Sequence, residues 1–108
     1  ATRIEHRVSG ADANPYLVMT VILASIHYGI TNKIKPIAPT VGNAFDDDCE
    51  ALPLKLDRAL AVLEKDQTLT SYLGEAFTKN YHLVKQKELE QFDMNISELE
   101  VKWYLSNS

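Results

Sequence analysis

Apolar and charged positions change their spacing several times along this chain. Residues 3–8 alternate, with Arg3, Glu5 and Arg7 on one parity and Ile4 and Val8 on the other, which places the two sets on opposite faces of a β-strand. From Ala13 to Asn32 there is no Asp, Glu, Lys or Arg. Asn14 is a good N-cap and Pro15 suits a first helical position, so a helix is predicted over about 14–28, with Gly29 taking a left-handed cap. A helix that is apolar all round is normally a buried one.

Between Thr31 and Pro53, Pro36, Pro39, Gly42 and the run Asp46-Asp47-Asp48 predict a long exposed loop. Beyond it Leu56, Leu60 and Leu63 share one helical stripe, giving a short helix to about Lys65. A short turn from Thr68 to Leu73 stops at Gly74. A longer helix follows, expected to bury Phe77, Tyr81, Val84 and Phe92 and to turn Lys79, Lys85, Lys87, Glu88 and Glu90 outward. Ser97-Glu98-Leu99-Glu100 is a capping box that opens a last helix carrying Leu99, Trp103 and Tyr104. The expected fold is mainly α, with about five helices and a short N-terminal β-strand. Its regions are an active-site strand at 1–8, a buried helix at 14–28, a loop at 31–53 and a helical region at 54–108.

Composition narrows the function classes. The 108 residues, 45% hydrophobic and 24% charged, suit one small globular domain. A net charge of −4 argues against a nucleic-acid partner. The uncharged run includes Thr20, Ser25 and His27 and ends at Gly29, short of the roughly 20 apolar residues that a membrane-spanning helix needs. The single cysteine, Cys49, excludes an internal disulfide and has acidic neighbours that oppose thiolate formation. No glycine-rich phosphate loop, HExxH, CxxC or serine-nucleophile elbow occurs.

Candidate chemistry therefore falls on the N-terminal segment. In a strand, same-face positions lie roughly 6.5 to 7 Å apart, so Glu5 would be flanked by two guanidinium groups, each suited to a two-pronged grip on carboxylate or phosphoryl oxygens. Such a carboxylate beside an anionic ligand could hold a divalent metal. The same three residues also read as an exposed strand ion pair worth about 0 to 1 kcal/mol. His6 alternates away from the charged face and reads, like His27 and His82, as a packed or solvent-facing imidazole.

Arg3-Ile4-Glu5-His6-Arg7 followed by Gly10-Ala11-Asp12-Ala13-Asn14-Pro15-Tyr16-Leu17 resembles the end of the catalytic domain in the glutamine synthetase family. Within it the resemblance leans to the branch that joins glutamate to amines, the gamma-glutamylputrescine synthetase branch. It continues through Ile22-Leu23-Ala24, Tyr28-Gly29-Ile30 and Asn32-Lys33, and returns at Tyr72-Leu73-Gly74-Glu75-Ala76-Phe77 and Trp103-Tyr104-Leu105.

This resemblance implies that the chain is the C-terminal part of an α+β catalytic domain, inactive by itself, whose parent uses ATP with Mg²⁺ or Mn²⁺. It implies that Glu5 helps to hold metal, that Arg7 grips glutamate and its phosphorylated intermediate, and that Arg3 lies nearest the nucleotide phosphates. It further implies glutamate and an amine such as putrescine as substrates, homo-oligomeric rings and a cytoplasmic location. Phe45 aligns with the tyrosine that many bacterial members carry for adenylylation, and it offers no hydroxyl. Two alternatives stay open: an ammonia-using glutamine synthetase, and a non-enzymatic helical interaction module.

Overall fold

The computed structural model of the chain describes residues 2–43 and 51–105. Phe45, the acidic run Asp46-Asp47-Asp48 and Cys49 lie outside the described residues. Five helices follow in order: α1 (Pro15–Thr31), α2 (Leu56–Lys65), α3 (Gln67–Leu73), α4 (Glu75–Asp93) and α5 (Glu98–Leu105). The chain divides into two compact units, Ala1–Cys49 and Glu50–Ser108.

In the first unit α1 starts where expected. Asn14 Oδ1 accepts from the backbone N–H groups of Tyr16 and Leu17 at 3.0 and 3.3 Å, and Pro15 occupies the first turn. The end differs from the expectation. Gly29 remains helical, and the left-handed residue is Lys33, with φ 52°. The N–H of Ile34 reaches the Gly29 carbonyl at 3.0 Å and that of Lys33 reaches Ile30 at 3.1 Å, the paired closure that ties off a helix through a left-handed residue. Asn32 adds its own Nδ2 to the Tyr28 carbonyl at 2.9 Å. These bonds satisfy the last carbonyls three residues beyond the expected stop, and glycine's conformational freedom is not needed there.

One further expectation for this unit is corrected. Residues 2–8 run without regular structure, and no strand occurs among the described residues. A strand needs a neighbouring edge to accept its N–H and C=O groups, and none is supplied here. Of α1, Ala24 alone is buried within the chain itself.

The second unit is better covered. α2, α3 and α4 pack on one another, with Leu60 of α2 and Thr78 of α4 buried. Asp66 caps α3 by accepting from the Leu69 N–H at 2.8 Å. Gly74, at φ 87° and ψ 137°, makes the sharp junction between α3 and α4. Thr78 then donates its hydroxyl to the Gly74 carbonyl at 3.1 Å, which satisfies a polar group that would be costly to bury unpaired.

The covered side of α4 overlaps the expected apolar face only at Tyr81. Phe77, Val84 and Phe92 are exposed, whereas Thr78, Tyr81, His82 and Lys85 are buried or half-buried. A ten-residue α2 covers only the part of α4 it meets, and that part runs through Thr78 and its helical neighbours. Lys85 tolerates this by laying its ammonium 5.8 Å from the centre of the Tyr81 ring and pairing with Glu88 at 2.7 Å. At the end of the chain the expected capping box is present: the Ser97 N–H donates to Glu100 Oε2 at 2.7 Å, and the Glu100 N–H donates to Ser97 Oγ at 3.2 Å.

Candidate functional site

Glu5 and Arg7 sit two residues apart in the irregular segment ahead of α1, and their side chains meet. Arg7 Nη2 lies 2.6 Å from Glu5 Oε1, and Arg7 Nε donates to the same oxygen at 2.7 Å. Both side chains remain well exposed. One edge of the guanidinium is thus used on one carboxylate oxygen. Glu5 Oε2 and the far nitrogen of Arg7 have no partner among the described residues.

The third member of the expected trio is not brought in. Arg3 makes no ion pair or hydrogen bond among the described residues. His6 is exposed, as is His27, and His82 is half-buried on α4.

The arrangement can do two things chemically. The carboxylate holds the guanidinium in a fixed direction while leaving donors free for an anion. Its open oxygen can enter the coordination sphere of a hard cation such as Mg²⁺, which takes one or two protein carboxylates along with phosphate oxygens and water. The donor chemistry fits such an ion as one contributor among several. Among the described residues no three of His, Cys, Asp and Glu converge as a metal site.

Comparisons with known proteins identify the family. Residues 1–104 match the family described as "Glutamine synthetase, catalytic domain". The chain belongs to the glutamine synthetase family. A gamma-glutamylputrescine synthetase of Escherichia coli is 41% identical over 106 residues, covering 98% of this chain and 22% of that protein. A glutamate–isopropylamine ligase of a Pseudomonas species is 36% identical over 108 residues, covering 97% and 24% respectively. A glutamine synthetase of Methanococcus maripaludis is 33% identical, covering 96% and 25%. The chain therefore spans about a quarter or less of the length of these relatives.

The other polar features belong to structure. Glu100 is held below the ordinary carboxylate value by the backbone N–H and then the hydroxyl of Ser97, as its capping role requires. Lys87 is raised by its hydrogen bond to Glu90. In the second unit an open groove of about 510 Å³ is lined by Glu64 of α2, Thr70 of α3 and, on α4, Glu75, Lys79 and His82 among others. Lys79 is exposed, as expected of a solvated face, and also borders this groove. The groove brings together helices separated by turns, and no spacing rule within one helix reveals that. No helix among the described residues is long and apolar enough to cross a membrane.

Proposed function

We propose that this chain is the C-terminal part of the catalytic domain of an ATP-dependent ligase that joins the γ-carboxylate of glutamate to an amine, putrescine or another polyamine. The observation that carries the reading is the Glu5–Arg7 pair, exposed and with unused donor and acceptor atoms, in a chain matched along nearly its whole length by relatives named for glutamate–amine ligation. In such a reaction the γ-phosphoryl group of ATP passes to a glutamate carboxylate oxygen, releasing ADP. The amine nitrogen then attacks the acyl carbon, forming the C–N bond and expelling phosphate. Charge builds on the transferring oxygens in the first step and must be met by cations.

Each residue has a distinct task in this scheme. Glu5 offers its open oxygen to Mg²⁺ or Mn²⁺, whose contribution is to neutralise phosphoryl charge. Arg7, oriented by Glu5, presents its remaining N–H groups to the glutamate and to the acyl phosphate. Arg3 reaches toward the nucleotide phosphates. The remaining metal and nucleotide ligands come from elsewhere in the catalytic domain, so the chain alone is inactive. The parent assembles as homo-oligomeric rings in the cytoplasm, and it binds neither nucleic acid nor membrane.

A chimera tests this, with the chain replacing the matching segment of the Escherichia coli gamma-glutamylputrescine synthetase. The chimera is expected to form the amide with ATP consumption. Arg7→Lys keeps the charge but loses the planar fork, so kcat/KM for glutamate should fall by about 10²-fold or more and that for ATP far less. Equal losses for both substrates would make Arg7 a general structural residue. The amine is read in the full-length parent by comparing ammonia, putrescine and longer polyamines as acceptors. Exclusive use of ammonia would overturn the amine and leave the family standing.

A further inference from the structure

We draw no further inference here: the strongest candidate, the open groove between α2, α3 and α4 bordered by Glu64, Glu75, Lys79 and His82, is ringed by exposed carboxylates and an exposed ammonium, and its buried polar group, Thr78, already donates to the Gly74 carbonyl, so nothing in the structure shows what it holds.

Discussion

The two units of this chain solve the burial problem differently. In Glu50–Ser108 three helices close on one another, and Leu60 and Thr78 are buried among them. In Ala1–Cys49 the more apolar helix has one buried residue, and the charged segment ahead of it pairs only with itself. The unit that carries the candidate chemistry is thus the one with less internal support. Binding and catalytic groups are commonly held by a scaffold contributed from elsewhere in the fold.

Stability measurements can break this comparison. Leu60→Ala should cost the chain about 2 to 5 kcal/mol, the range for emptying a buried leucine site, whereas Leu23→Ala should change it by less than about 0.5 kcal/mol. Chemical denaturation followed by far-ultraviolet circular dichroism reads both. Comparable losses would show that α1 is supported within the chain. At the α3–α4 junction, Gly74 has φ 87° and no atom near its missing Cβ. Gly74→Ala should therefore cost about 1 to 3 kcal/mol through backbone strain alone.

Smaller effects sharpen the same contrast. Lys33 holds a left-handed conformation at the end of α1 without being glycine, and Lys33→Gly should stabilise α1 by a few tenths to about 1 kcal/mol. Glu100 supplies a weak pH dependence in the second unit. Its folded pKa is lowered, so its stabilisation is complete above the unfolded carboxylate value of about 4.3 and is lost as pH falls through the folded value. The amide resonances of Ser97 and Glu100 should shift together on acidification, and Glu100→Ala should abolish that shift. An unchanged Ser97 resonance would remove the capping box from the account.

Local signals were the legible part of this sequence. Asn14-Pro15, Gly74 and Ser97-x-x-Glu100 each satisfy or strain backbone groups within a few residues, and each does in the structure what the residue types require. Glu5 and Arg7, which the alternation at 3–7 puts on one parity, also meet, though in a segment without regular structure. What failed depended on neighbours. A strand at 1–8 needs an edge to pair with, and the buried face of α4 is chosen by where α2 lies, which turned Lys85 inward and left Phe92 in solvent. Arg3 shares the parity of Glu5 and Arg7, but parity fixes a direction only while the backbone stays in a paired strand.

The central claim is that Glu5 belongs to an active site and is more than half of a surface ion pair. In the Escherichia coli chimera, Glu5→Gln keeps the shape of the side chain and removes its charge, so kcat for amide formation should fall by about 10² to 10³-fold. The melting temperature should stay unchanged, because an exposed pair contributes only about 0 to 1 kcal/mol. Measuring both on one preparation separates the two readings. Turnover near that of the unmodified chimera would contradict the account.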